Sequence, residues 1–153
     1  MNSENSIFVL NTLIEINNSR IEGYQTASNG TEKSDLKNMF SEFLHSSKKH
    51  KEELINEVQK LGGAPINKYK TNNSFYRIWM DLKAFLNNEE YEDILSICEY
   101  DDFVAVQNYN DALKDNHQDM STELQKLLIV QQNIIKADHD RVKYLNDMIL
   151  GYK

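Results

Sequence analysis

The stretch from Ser34 to Leu61 constrains the fold more than any other part of the sequence, because its apolar residues follow the period of one long helix. They recur at alternating steps of four and three residues, which places them on one stripe of an α-helix. The members of this stripe are Leu36, Phe40, Phe43, Ser47, His50, Leu54, Val58 and Leu61. Two of them, Ser47 and His50, are polar and lie near the middle of the stretch. The pattern predicts a helix that packs lengthwise in a bundle and carries polar groups in the interior.

Three further stretches have the same character, and the chain has only one proline and five glycines to interrupt them. We predict a first helix from about Ser6 to Ser28, a third that starts near residue 88 and ends at about Lys114, and a fourth that follows a cap at Ser121. Ser34 is predicted to cap the second helix, and Gly62-Gly63-Ala64-Pro65 to end it.

The connection between the second and third helices is long, at about 25 residues, and the segment SFYRIWMDLKAFL within it is predicted to form a short helix. A connection of this length can cross the whole bundle and leave the second and third helices parallel, as in ferritin-like folds. The predicted fold is therefore all-α, a ferritin-like four-helix bundle with a long central crossover that carries a short extra helix. It forms a single domain over residues 6–150.

Composition excludes several functional classes. The net charge of −7 disfavours nucleic acid as a partner, because binding phosphates needs a basic surface. No apolar run approaches the roughly 18 residues that a membrane-spanning helix needs, so we predict no membrane association. The single cysteine, Cys98, fits a reducing compartment, and we predict a cytoplasmic protein. No Ser-His-Asp spacing, phosphate-binding loop or zinc pattern is present, so the prediction leans towards a protein that is not an enzyme.

Several motifs occur in a fixed order along the chain. They are LNxLIE at 10–15, Gly23-Tyr24, LGGxP at 61–65, RxWMDLK at 77–83, Cys98-Glu99 with Asp102, YxxAL at 109–113 and HDRV at 139–142. Together they resemble the bacterial ferritin-like family called domain of unknown function 2383, over roughly residues 8 to 147. The resemblance implies a ferritin-like four-helix bundle and no established activity. The chain departs from the family pattern at Tyr76, where histidine is frequent, and at Asp101-Asp102, where Gly-Glu is frequent.

Polar residues interrupt the apolar stripes near the midpoints of all four predicted helices. They are Asn17, Ser47, His50, Asp102, Gln131 and Asp138. Their spacing resembles the bacterioferritin pattern of carboxylate and Glu-x-x-His iron ligands, in which Ser47 and Ile134 would stand at ligand positions. The literal Glu42-x-x-His45 match lies off the interior stripe and is predicted to be a solvated edge.

Three interpretations of the polar residues are open. The leading one is a buried, hydrogen-bonded layer left by a degenerate di-iron site, in a structural or stress-associated protein with no cofactor. The alternative is a metal-binding protein that holds iron or another divalent metal through His50, Asp102, Asp138 and Gln131. The third is a small-ligand site around the layer. In each case we predict a homodimer, by analogy with other ferritin-like bundles.

Overall fold

A computed structural model describes residues 2–66 and 91–151, and these residues form four α-helices and one short 3-10 helix. The helices are α1 (Ser3–Gly30), α2 (Ser34–Lys60), α3 (Tyr91–Asn116) and α4 (Thr122–Gly151), and the 3-10 helix is His117–Asp119. No strand occurs among the described residues, which confirms the all-α bundle. The predicted crossover helix, with its RxWMDLK motif, lies outside the described residues.

Local side-chain chemistry sets most of the helix ends. The Asn2 side chain accepts a hydrogen bond from the Asn5 amide and caps α1, which therefore starts earlier than predicted. Ser121 caps α4 as predicted, because its Oγ accepts from the Leu124 amide at 3.1 Å. The predicted cap at Ser34 is wrong by one residue: Lys33 holds the N-cap position without a side-chain hydrogen bond, and Ser34 is the first helical residue.

The end of α2 is a Schellman motif built on Gly62 and Gly63. Gly62 has a φ of 82°, in the left-handed region that glycine adopts at little cost. Its amide donates to the Gln59 carbonyl and the Gly63 amide donates to the Val58 carbonyl, both at 3.0 Å. A Cβ on Gly63 would lie 2.8 Å from Ile7 Cδ1, so the second glycine permits close approach to the start of α1.

Contacts between the helices give their directions. Gly63 at the end of α2 meets Ile7 near the start of α1, so these two helices are antiparallel. Ser6 of α1 donates to the Asp119 carbonyl at one end of the bundle, and Tyr24 bonds Asp102 further along, so α1 and α3 are antiparallel as well. It follows that α2 and α3 run parallel, the arrangement that the predicted crossover requires.

The packing is a square in which α1 contacts α2 and α3, and α4 contacts α3 and α2. The buried apolar residues fall into two clusters. One cluster is centred on Leu10, Leu13, Leu54 and Leu128, and the other on Tyr24, Phe40, Phe43 and Val142. Buried polar residues separate the two clusters along α1, α2 and α3. The core is therefore two apolar halves with a polar layer between them.

The left-handed cap predicts how substitutions at Gly62 will behave. Gly62→Ala should lower the free energy of unfolding by about 1 kcal/mol, because alanine is strained at positive φ although no atom blocks its Cβ. Gly62→Asn should lose less, because asparagine tolerates the left-handed region. Urea denaturation of the two variants checks this. Equal losses for alanine and asparagine would contradict a conformational origin.

Candidate functional site

The candidate site is the polar layer between the two apolar clusters, which we define as Asn17, Arg20, Ser47, His50, Asp101 and Asp102. All six residues are buried. They come from α1, α2 and α3, at the positions where the interior stripe of each helix passes from one apolar cluster to the other. Buried polar and charged groups are stable only when they find partners, so the partners define what this layer is.

The centre of the layer is an ion cluster around Arg20. Its Nη1 lies 2.8 Å from Asp101 Oδ2 and 2.8 Å from Asp102 Oδ1, and all three side chains are almost fully buried. The Tyr24 hydroxyl donates to the same Asp102 Oδ1 at 2.7 Å, and the guanidinium lies 5.1 Å from the centre of the Tyr24 ring. One arginine thus bridges two neighbouring carboxyl groups, with a tyrosine bonded to one of them and stacked near the cation.

The cluster contains two acidic groups for one cation, and burial decides how they ionise. Burial raises the pKa of Asp101 from its ordinary 3.8 to about 7; Arg20 opposes this effect and Asp102 adds to it. Burial also raises the pKa of Asp102, against Arg20 and the Tyr24 hydrogen bond. At pH 7 and below, the carboxyl pair therefore holds one proton, and the net charge of the cluster is close to zero. This is the state that costs the least free energy in a buried site.

A chain of hydrogen bonds beside the ion cluster joins all four helices. Asn17 Nδ2 donates to the Tyr109 hydroxyl at 3.1 Å, and that hydroxyl donates to Gln131 Oε1 at 2.6 Å. Gln131 Nε2 then donates to the His50 backbone carbonyl and to Glu53 Oε1, both at 3.3 Å. Burial raises the pKa of Tyr109, so its hydroxyl keeps the proton that it donates. This chain confirms the predicted hydrogen-bonded layer for Asn17 and Gln131.

His50 is buried but forms no hydrogen bond or ion pair with Asp102, although the sequence places the two residues in one candidate metal site. Asp102 bonds to Arg20 and Tyr24 instead, and neither ring nitrogen of His50 has a hydrogen-bond partner among the described residues. Burial, together with the nearby positive charges of Arg20 and Lys49, lowers the pKa of His50 to about 4, so the ring is neutral at pH 7. The physical reason is the square packing: α2 and α3 stand across the bundle from one another, and α1 brings Arg20 between them.

Three further residues singled out from the sequence lie outside the fully buried layer. Asp138 is half-buried on α4, and burial raises its pKa from 3.8 to about 7, with Arg20 opposing and Asp102 reinforcing the shift. Glu42 and His45 are exposed, and Glu42 forms an ion pair with Arg141 of α4. The Glu42-x-x-His45 motif is therefore a solvated edge, as predicted.

The donor set does not fit a di-iron centre. The cation that both buried carboxyl groups contact is the Arg20 guanidinium. No group of three or more histidine, cysteine, aspartate or glutamate residues within 2–66 and 91–151 is arranged to hold a metal ion. A divalent ion about 4 Å from a guanidinium would also be repelled by on the order of 8 kcal/mol at an effective dielectric constant of about 20.

Sequence reasoning missed the two residues that define the cluster. The spacing of Ile14, Asn17, Ile21 and Tyr24 favours Ile21 on the interior stripe of the first helix, but Arg20 is fully buried and Ile21 only partly. The signal was present in the spacing, since Leu10, Leu13, Asn17, Arg20, Tyr24 and Ala27 follow steps of three and four without a break. Asp101 was missed because its neighbour Asp102 already filled the stripe position.

The fold and the layer define a class: an all-α bundle whose centre is an arginine–carboxylate cluster. Among the described residues, no helix is both long and apolar enough to cross a membrane. The family described as "Domain of unknown function (DUF2383)" matches residues 5–115, which is more than half of the chain. The chain therefore belongs to this family, which confirms the family predicted from the ordered motifs. No curated protein matches the sequence.

The raised pKa of Asp138 predicts that this residue lowers the free energy of unfolding as the pH rises. Its carboxyl group is protonated in the fold up to about pH 7 but ionises near 3.8 when unfolded, so the stability it contributes is full below 3.8 and is lost as pH rises through 7. Asp138→Asn should therefore raise the free energy of unfolding at pH 8 by about 1 kcal/mol, a figure discounted for solvent screening, and should change little at pH 4.

The matched control is Asp140→Asn, two residues further along α4 and exposed. It removes the same charge from the same helix and should leave the pH dependence unchanged. Urea denaturation between pH 4 and 8 measures both variants. A gain at pH 8 that is equal in the two variants would show that net charge, not the position of Asp138, is responsible.

Proposed function

We propose that the chain is a non-enzymatic, cytoplasmic, ferritin-like bundle in which an arginine–carboxylate cluster stands where related folds hold metal. The observation that carries the proposal is the position of Arg20, whose Nη1 contacts both Asp101 and Asp102 at 2.8 Å. A guanidinium supplies, from within the chain, the positive charge that two converging carboxyl groups need. Parallel α2 and α3 support the ferritin-like assignment, because that topology is characteristic of such bundles.

The state of the buried groups supports a structural role for the layer. The pKa of Tyr24 is raised by burial, so its hydroxyl is a fixed donor. The pKa of Cys98 is raised by burial and by the nearby Asp102 and Asp101, so its thiol stays protonated and unreactive. His50 is neutral and enclosed. Arg20, Asp102 and Tyr24 are buried and bonded to one another, which suits groups that position helices, whereas catalytic groups must reach a substrate.

A polar layer of this kind fixes the register of the helices. An apolar stripe alone lets one helix slide past another by a turn or a heptad at modest cost. Such a slide would separate Arg20 from Asp101 and Asp102, and Tyr109 from Asn17 and Gln131, and would leave buried groups unpaired. We propose that the polar layer retains this role in helix register and has no metal chemistry. We also propose that two such bundles associate as a homodimer.

Elemental analysis of protein purified without chelators tests the proposal. We expect less than about 0.2 transition-metal ion per chain, because the Arg20 guanidinium already supplies a positive charge to the carboxyl pair and would repel a metal ion. The comparison variant is His50→Ala, which removes the one imidazole of the layer and should leave the metal content unchanged. About one metal ion per chain in the natural protein, lost in His50→Ala, would overturn the proposal in favour of a metal-binding protein.

A further inference from the structure

The outward side of α4 carries a second regular stripe, separate from the stripe that faces the core of the bundle. Its members are Val130, Ile134, Ala137, Arg141, Tyr144 and Met148, and we call them the outer stripe. They follow steps of four, three, four, three and four residues, the spacing of a coiled-coil seam. The inward face of α4 is a separate set that includes Leu124, Leu128, Gln131, Ile135 and Val142.

The outer stripe exposes large apolar side chains. Val130 is 56% exposed, Tyr144 65% and Met148 40%, while Ala137 is exposed and Ile134 partly buried. The one charged member, Arg141, forms an ion pair with Glu42 of α2, and this contact draws its head group towards α2. Exposed apolar residues that recur along one side of a helix are typical of an interaction surface, whereas single exposed apolar residues need no explanation.

We propose that the outer stripe binds a second copy of the chain, with the two α4 helices antiparallel about a two-fold axis at Ala137. This inference rests on the homodimer in the proposed function and assigns its surface. Ala137 is the smallest member and stands at the centre, so two helices can approach closely there. The axis places Val130 of one copy opposite Tyr144 of the other, a small residue against a large one at both ends.

The charges along α4 favour a second copy as the occupant. The whole chain has a net charge of −7, which opposes self-association in general. The outer part of α4 is different, because its exposed charges balance: Lys126, Lys136, Arg141 and Lys143 stand against Glu123, Asp140, Asp147 and the Glu42 partner of Arg141. The antiparallel arrangement also places Lys126 of one copy beside Asp147 of the other. This surface is therefore locally neutral and complementary to itself.

The length of the outer stripe sets the strength of the dimer. From Val130 to Met148 it covers about 27 Å at about 1.5 Å per residue. A helix pair of that length buries on the order of 1,000 Å² in total, at the low end for specific interfaces. We therefore expect a dissociation constant on the order of micromolar, with the mass from light scattering rising from 17.9 kDa towards twice that value as concentration increases.

Cysteine cross-linking tests the surface and the direction together. Ala137→Cys should form a disulfide-linked dimer on mild oxidation, because the two residues face one another at the axis. Val130→Cys alone should not, because its two copies would stand about 21 Å apart along the helices. An equimolar mixture of Val130→Cys and Tyr144→Cys should cross-link. Gln107→Cys, exposed on α3, is the matched control, and the native Cys98 is buried.

Each other outcome overturns a distinct part of the proposal. A mass of 17.9 kDa at every concentration would remove the dimer, and with it that part of the proposed function. A dimeric mass without an Ala137→Cys cross-link would leave the dimer and refute the outer stripe as its interface. Self-cross-linking of both Val130→Cys and Ala137→Cys would show that the helices pair in parallel, and self-cross-linking of Val130→Cys without Ala137→Cys would refute an axis at Ala137.

Discussion

The structure depends on the buried cation of Arg20. Arg20 contacts Asp101 and Asp102 at 2.8 Å in a place from which water is excluded, and the Tyr24 hydroxyl donates a further hydrogen bond to Asp102. Removing one side of such a pair leaves the other charge uncompensated and costs roughly 3–5 kcal/mol, a large share of the total stability of a domain of this size. The proton that burial retains on the carboxyl pair keeps this arrangement close to neutral. The other features of the layer are arranged around that cluster.

The apolar clusters and the polar contacts make different contributions to the fold. The two apolar clusters supply the driving force but are tolerant of sliding, because leucine, valine and phenylalanine pack in many registers. The polar contacts are not tolerant: Asn17, Tyr109 and Gln131 bond only when α1, α3 and α4 are at one height, and the His50 carbonyl adds α2. A buried polar layer of this kind therefore fixes the register of the helices.

The sequence predicted the fold well and the site only in part, for physical reasons. Helical periodicity determines which face of each helix is buried, so Ser47, His50, Asp102 and Gln131 were correctly placed inside. Periodicity does not determine which helices are neighbours. The sequence therefore placed His50 and Asp102 in one candidate metal site, although α2 and α3 lie across the bundle from one another. Arg20 was missed because a charged side chain is rarely fully buried. Here the side chain is buried because it contacts two carboxyl groups on α3. Long-range pairing of this kind appears only when the helices are assembled.

A double-mutant cycle between Arg20 and the carboxyl pair tests the central claim most directly. One side is Arg20→Met, the other is Asp101→Asn with Asp102→Asn, and the free energy of unfolding is measured at pH 8, above the pKa of about 7 of Asp101. We predict that each side alone loses about 3 kcal/mol, and that the combined variant loses at least about 2 kcal/mol less than the sum. Losses that add to within about 0.5 kcal/mol would contradict the claim that this ion cluster holds the centre of the bundle.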